Sequence, residues 1–364
     1  MPVSTLTIRR PDDFHVHLRQ GKILRLVAAL TAKNFARVLV MPNTRPHPIL
    51  TIQDAAGYYQ EIQRTLDPLA QDFCPLMTLQ ITPQTTPKII TEAAREGIVV
   101  ACKLYPEGVT TNSDNGVSNF KDLYPVFGTM ADCNLVLCLH GESPNHGVAG
   151  LNREAAFLPQ LREIAIKFSG LRIVLEHITT FDAVQAVHSL PANVAATITA
   201  HHLVLTLDDV IGYSKQSQGK LSPHNFCKPI AKHEFDRQAL CHAATSGNPK
   251  FFFGSDSAPH SISDKECVQA CAGCFTAPVA LPILADVFDR MNALDKLEDF
   301  VATHGSNFYN LTKELLVSDA RITLVKESWK VPRIYIRNED FPPSGSSNVI
   351  RPFLADETLA WHVV

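Results

Sequence analysis

The sequence predicts an α/β protein: a closed (β/α)8 barrel with a C-terminal extension, one domain over 1–364. Three observations predict it. Short apolar runs alternate with helix-like stretches, the pattern of repeated β–α units. Eight such runs fall between residues 7 and 256, close to the ~250 residues that a barrel of this kind occupies. Most of them are continuously apolar, as strands buried on both faces of a parallel sheet must be. An open doubly wound sheet is the alternative. The chain has no G-x-G-x-x-G after a strand and no G-x-x-x-x-G-K-[ST], so nucleotide-binding forms of that fold lose support.

The first strand is expected from Thr7–Ile8 into Asp13-Phe14-His15-Val16-His17. The next are Ala36–Met41, Asp72–Ile81, Ile98–Leu104, Asn134–His140, Leu171–His177, Asn193–Thr199 and Lys250–Asp256. Helix-like stretches lie between them. Lys22–Lys33 has apolar residues at 23, 24, 26, 27 and 30, and Gln53–Leu66, Thr86–Glu96, Phe120–Met130, Arg153–Phe168, Phe181–His188 and Phe235–Ala244 are similar. Two long segments, Pro106–Asn119 and Ile211–Lys228, follow strands four and seven. Connections of that length in a compact domain are usually functional or mobile. Val279–Met291 and Leu297–Asn310 read as further helices, and Pro342–Ser347 is a turn-rich break before a terminal apolar piece, Val349–Val364.

Composition removes several function classes. Lys+Arg number 33 against Asp+Glu 36, a net charge of −3, which argues against an electrostatic nucleic-acid binder. No stretch approaches ~20 uninterrupted apolar residues, so no membrane span is expected. The first residues lack the apolar core of a secretory signal. With nine Cys at irregular spacing, a cytoplasmic location with free thiols is the expectation. The 15 His stand out, because imidazole titrates near neutrality and is the commonest metal ligand.

In a barrel, chemistry collects at the C-terminal ends of the strands. Those ends carry His15 and His17, Lys103, His140, His177 and Asp256. Strand alternation puts His15 and His17 on one side with Val16 opposite, where two imidazoles can share one ion. Each residue alone has an ordinary structural explanation: a core histidine, or an Asx turn or helix cap at Asp256. Their coincidence at one face favours a metal site. Lys103 sits in an apolar run, so burial disfavours its ammonium form. A neutral amine there can take up CO2 as a carbamate; a lysine ion-paired with an acidic neighbour serves equally well.

The motifs His15-x-His17, Arg19, Met41-Pro42-Asn43, Lys103-Leu104-Tyr105-Pro106, His140-Gly141-Glu142, Glu176-His177-Ile178-Thr179-Thr180 and Gly254-Ser255-Asp256-Ser257-Ala258-Pro259-His260 occur in that order. Together they resemble the amidohydrolase superfamily, and within it the dihydroorotases of the monofunctional type. The resemblance runs from Arg9 to Ala355. It implies two Zn2+ per subunit. His15, His17 and Asp256 would hold one, His140 and His177 the other, and Lys103 as N6-carboxylysine would bridge both, with a hydroxide between the metals. Asp256 would also be the catalytic proton shuttle. Arg19, Asn43 and His260 would hold a substrate carboxylate, and backbone groups of Lys228 and Ala272 the ring amides. Thr110 and Thr111 would belong to a mobile loop that closes over substrate. The implied reaction is reversible ring closure of N-carbamoyl-L-aspartate to L-dihydroorotate plus water, in pyrimidine biosynthesis. A homodimer is the assembly that fits the family.

Other readings compete. Cys267-x3-Cys271-x2-Cys274 has the spacing of a radical-SAM iron–sulfur motif, but it follows the eighth strand, where that motif normally follows the first. A structural zinc at those thiols lacks an obvious fourth ligand. A catalytically silent homologue would usually have lost metal ligands, whereas every such position here is filled. A hydantoinase or dihydropyrimidinase is the nearest enzymatic rival; Arg19, Asn43 and His260 together favour a substrate with a free carboxylate. Two departures from the family stand out: Gly212–Lys220 is longer than in compact bacterial relatives, and Lys228 occupies a commonly apolar position. His47, His146, His201, His202, His224 and His304 read as structural or surface residues.

Overall fold

The computed structural model describes residues 4–66, 72–110, 113, 115–214, 217, 219–311, 320–336 and 349–364. Eight parallel strands lie in sequence order around a nearly closed barrel. They are β2 (Asp12–Val16), β3 (Arg37–Val40), β4 (Cys74–Ile81), β5 (Val99–Leu104), β6 (Val136–His140), β7 (Ile173–Glu176), β8 (Val194–Ile198) and β9 (Phe251–Phe253). The seam is joined just beyond β9: Ser257 bridges Val16, Asp256 N donates to His15 O at 2.9 Å, and His17 N donates to Ser257 O at 3.0 Å. Helices α1 (Lys22–Asn34), α2 (Ile52–Leu66), α3 (Pro87–Arg95), α4 (Tyr124–Asp132), α5 (Arg153–Lys167), α6 (Phe181–Ser189), α7 (Leu207–Ile211) and α8 (Glu234–Thr245) are set between the strands. Among the described residues, no helix is long and apolar enough to cross a membrane.

The strands run apolar on both faces because they are buried on both. Inside the barrel, Phe14, Leu39, Leu76, Ala101, Val136, Val174, Ala195 and Phe252 form one cluster, floored by Tyr309 stacked on Phe14 with ring centroids 4.8 Å apart. Outside, Val16, Val38, Val40, Leu79, Cys102, Leu137, Leu175 and Ile198 pack against the helices in a second cluster. This apolar floor makes the next inward positions, Lys103, His140 and Glu176, a polar layer at the C-terminal mouth.

The first expected strand is corrected. Thr7–Ile8 does not run into the barrel: β1 (Thr5–Arg9) pairs antiparallel with β10 (Arg321–Val325), which also pairs with β13 (His362–Val363), in a separate sheet. Pro11 separates the two pieces, since it offers no N–H to a ladder. The terminal stretch is likewise not one apolar element: β12 (Thr358–Leu359) pairs with β11 (Trp329–Lys330), and β13 follows. Between β9 and this region lie α9 (Ile262–Lys265), α10 (Ala280–Arg290) and α11 (His304–Phe308). The expected break at Pro342–Ser347 lies outside the described residues.

Candidate active site

Local backbone geometry aims the polar layer. The register of β2 against β3 shifts between Asp13 and Val16. Phe14 therefore packs inside while Val16 packs outside, with His15 and His17 together at the mouth. His177 and Asp256, the residues next beyond β7 and at the seam, both have φ of 43°, a left-handed conformation that side chains rarely adopt. Such strain costs on the order of 1–3 kcal/mol per residue and persists only where surroundings enforce it. At His177, N–H donates to Thr197 Oγ1 at 2.7 Å. Before Asp256, Ser255 N and Oγ donate to the buried Asp13 carboxylate at 2.7 and 2.5 Å. Gly254 lets this turn approach β8 and β2: a Cβ there would lie 2.9 Å from Thr197 Cγ2 and 3.1 Å from His15 Cβ.

The side chains converge. His15 Nε2 lies 3.3 Å from His17 Nε2, and Asp256 Oδ1 stands 3.3 and 3.2 Å from those two nitrogens. His177 groups with His15 and Glu176, its ring centroid 5.0 Å from that of His15 and 4.8 Å from that of His140. His140 Nε2 faces Glu142 Oε2 at 2.8 Å. Burial is the main cause that lowers all four imidazole pKa values, those of His15 and His177 well below the usual range. The rings are thus neutral near pH 7, with lone pairs to offer. Lys103 is fully buried and its amine is pushed down to about 7 by desolvation. Its Nζ contacts Glu176 Oε2 and sits 5.0 Å from the Tyr105 ring centroid.

Arg19 occupies a left-handed position, φ 62°, and its carbonyl accepts from Tyr58 Oη. Its guanidinium donates from Nε to Pro259 O at 2.9 Å and meets His260 Nε2 at 3.0 Å. His260 Nε2 is also 3.0 Å from Ala272 O. Burial and then Arg19 push His260 down to about 2. A neutral ring can accept from Arg19 or donate to Ala272 through that nitrogen, not both. Arg19, Asn43, Thr110, Lys228 and Ala272 line the cleft with His15, His17, His140, His177 and Asp256. Lys103 lies beneath it, and Thr111 lies outside the described residues. The free volume is about 30 Å³, room for roughly two water molecules.

Sequence reasoning gave no role to Asp13, Glu176, Glu142 or Tyr105. Glu176 had a legible signal: it is an acidic residue ending an apolar strand, in register with His140. Asp13 had the same signal within β2. Cys267, Cys271 and Cys274, whose spacing offered a competing metal motif, are free thiols. Cys267 is exposed, and Cys274 instead groups with Cys227 and His201.

A barrel with neutral imidazoles and carboxylates gathered at the strand ends is the arrangement of an amidohydrolase-type enzyme. Comparison with known proteins narrows the class. Dihydroorotase from Azoarcus sp. (strain BH72) is 42% identical over 362 residues, covering 99% of this chain and 100% of its own. A Saccharomyces cerevisiae dihydroorotase, solved in complex with 5-fluoroorotic acid, has a TM-score of 0.89 at 36% identity, covering 100% of this chain and 99% of its own. The Campylobacter jejuni dihydroorotase has a TM-score of 0.86 at 37% identity, covering 99% and 98%. No family model matches the chain. The chain belongs to the dihydroorotase family, the cyclic amide hydrolases of pyrimidine biosynthesis within the amidohydrolase superfamily.

Proposed function

We propose that the chain interconverts N-carbamoyl-L-aspartate and L-dihydroorotate reversibly, with two zinc ions held at the barrel mouth. The observation that carries this reading is the packing of neutral imidazoles, Asp256 and a buried lysine beneath Arg19 and His260. The donor set fits divalent zinc, which takes imidazole nitrogen and carboxylate oxygen. His177 Nδ1 is buried without a hydrogen-bond partner, a cost that a bound cation nearby would relieve. His15, His17 and Asp256 would hold one ion, and His140 and His177 the other. When bound, the ions would polarise the carbonyl under attack and lower the pKa of water towards ~7.

The chain's own groups supply the rest. Arg19, with Asn43 and His260, holds the substrate carboxylate, for which a guanidinium fork is suited. Backbone groups at Lys228 and Ala272 orient the ring amides. In hydrolysis, oxygen from water joins the ring carbonyl carbon, the C–N bond breaks, and Asp256 carries the water proton to the leaving nitrogen. Cyclisation runs the same transfers backwards, with Asp256 taking the ureido proton. The buried Lys103 amine has the free lone pair needed to attack CO2; an N–C bond forms, an N–H proton leaves, and an anionic carbamate results. The contact between Lys103 and Glu176 favours the second reading, an ion pair. In this proposal the enzyme works in the cytoplasm as a homodimer.

One experiment tests the core of the reading: the purified protein is assayed with dihydroorotate while zinc per chain and intact mass under native conditions are measured. Turnover with two zinc ions and the added mass of one CO2 is expected. Lys103→Ala should lose metal and activity, and full activity with two zinc ions in that variant would exclude the carbamate bridge and leave the ion pair.

A further inference from the structure

His201, Cys227 and Cys274 bring a ring nitrogen and two sulfurs within 4.8 Å of one another, outside the cluster at the barrel mouth. His201 follows β8, Cys227 precedes Lys228, and Cys274 follows Ala272 and Gly273. The three are at most 1% exposed. Neither ring nitrogen of His201 has a hydrogen-bond partner. Its neighbour His202 shows the ordinary arrangement: Nδ1 meets Thr199 Oγ1 at 2.9 Å and Nε2 meets Pro229 O at 3.0 Å. A fully buried imidazole with two orphaned nitrogens is costly unless something else uses them. Cys227 Sγ lies 3.3 Å from His202 Nε2 and 3.5 Å from Pro229 O, and Cys274 Sγ donates to His224 O at 3.3 Å. Lys265 Nζ donates to the carbonyls of Phe226, Cys271 and Gly273 at 3.1, 2.8 and 2.8 Å, which stations a positive charge beside both sulfurs.

We propose that His201, Cys227 and Cys274 bind one thiophilic d10 cation, zinc(II) or copper(I), at a site separate from the barrel mouth. Thiolate and imidazole are the ligands such cations select. Three ligands ~2.0–2.3 Å from one ion stand ~3.5–4.0 Å apart, so side-chain movements of up to about 1 Å close the site. Binding breaks two S–H bonds, forms two S–metal bonds and one N–metal bond, and releases two protons to solvent. Two thiolates neutralise zinc(II); with copper(I), the remaining negative charge is matched by Lys265. An iron–sulfur cluster needs four ligands, and among the described residues only two thiols and one imidazole converge here. The cation ties the segment before Lys228 to the segment after Ala272, so it holds the two cleft walls in register. Its loss raises KM more than it lowers kcat.

The site has a signature the barrel mouth cannot give, because His15, His17, Lys103, His140, His177 and Asp256 carry no sulfur. The reduced, full-length protein is titrated with cadmium(II), as the probe for zinc, and anaerobically with copper(I). Thiolate-to-metal charge-transfer absorption should saturate at one equivalent with at least one of them, which also identifies the preferred ion. It should vanish in Cys274→Ser and Cys227→Ser. It should persist in the Cys267→Ser, Cys271→Ser double variant and in Asp256→Asn. His201→Gln, which keeps both thiols, should weaken binding at least tenfold and serves if the serine variants fail to fold by circular dichroism. No thiolate absorption with either cation in the reduced protein, or absorption that survives Cys274→Ser, overturns the proposal and leaves the barrel-mouth reading untouched.

Discussion

Asp256 Oδ1 stands 3.2 and 3.3 Å from two imidazole nitrogens, on a backbone forced to φ 43°. A carboxylate there can ligate and carry a proton; a carboxamide can still offer an oxygen but cannot take the proton. Asp256→Asn should therefore keep at least one zinc per chain and lose ~10²–10⁴-fold in turnover, the usual contribution of general acid–base help. Metal analysis beside steady-state kinetics checks this, and a near-normal rate would remove the proton role. His202 makes a different prediction. Burial pushes it down to about 4 from an ordinary 6.5, so the folded state binds fewer protons than the unfolded chain between those values. Its contribution is fully present above pH 6.5 and is lost as pH falls towards 4, by about 3 kcal/mol in all. Denaturant titrations at several pH values should show a shallower acid loss in His202→Asn; equal slopes would contradict the assignment. At this scale the sequence identified residue types at strand ends. It could not say which pairs meet, because Glu176 touches Lys103 and His15 only after distant strands close up.

Among elements, the junction of α5 and α6 positions His177. The buried Glu154 carboxylate accepts from Thr179 N at 2.9 Å, Thr180 N at 2.8 Å, and both threonine hydroxyls at 2.7 and 2.6 Å. Thr180 in turn caps α6, accepting from Ala183 N at 3.1 Å. Glu154→Ala leaves these donors buried and unpaired and should cost about 3 kcal/mol or more in chemical denaturation. A loss below about 1 kcal/mol would mean the junction is held otherwise. The loop after β5 is the second such element. Its base is fixed by a bridge between Pro106 and Val117, and Thr110 lines the cleft. Its place beside His15, His140 and Asp256 is where a loop that closes over substrate would have to stand. Thr110→Ala with Thr111→Ala should reduce turnover and leave bound zinc intact. Wild-type kinetics would sink the lid. The strands and helices were legible because short continuous apolar runs and a 3.6-residue period are local properties of a chain. The partition at Pro11 was missed because β1 finds its partner, β10, more than 300 residues away.

Across the whole molecule, the terminal segment closes the fold from outside. Trp361 is fully buried, and its Nε1 donates to Asp289 Oδ2 at 3.3 Å, beside α10. Trp361→Ala should cost about 3–5 kcal/mol in thermal or chemical unfolding while leaving turnover near wild type at low temperature, because the segment supports the barrel without entering the cleft. A variant as stable as wild type would show the segment to be dispensable.

By itself the sequence determined the barrel and the residues at its mouth. Short continuous apolar runs that alternate with helix-length stretches read as strands buried on both faces, and what ends each strand is fixed by its position along it. Only the tertiary structure decided the groupings that no motif implied: His177 with Glu176, Glu176 with Lys103, and His201 with two thiols from loops that also carry Lys228 and Ala272. Such groupings depend on closure of the sheet and burial of side chains far apart in the chain, and no local pattern encodes them.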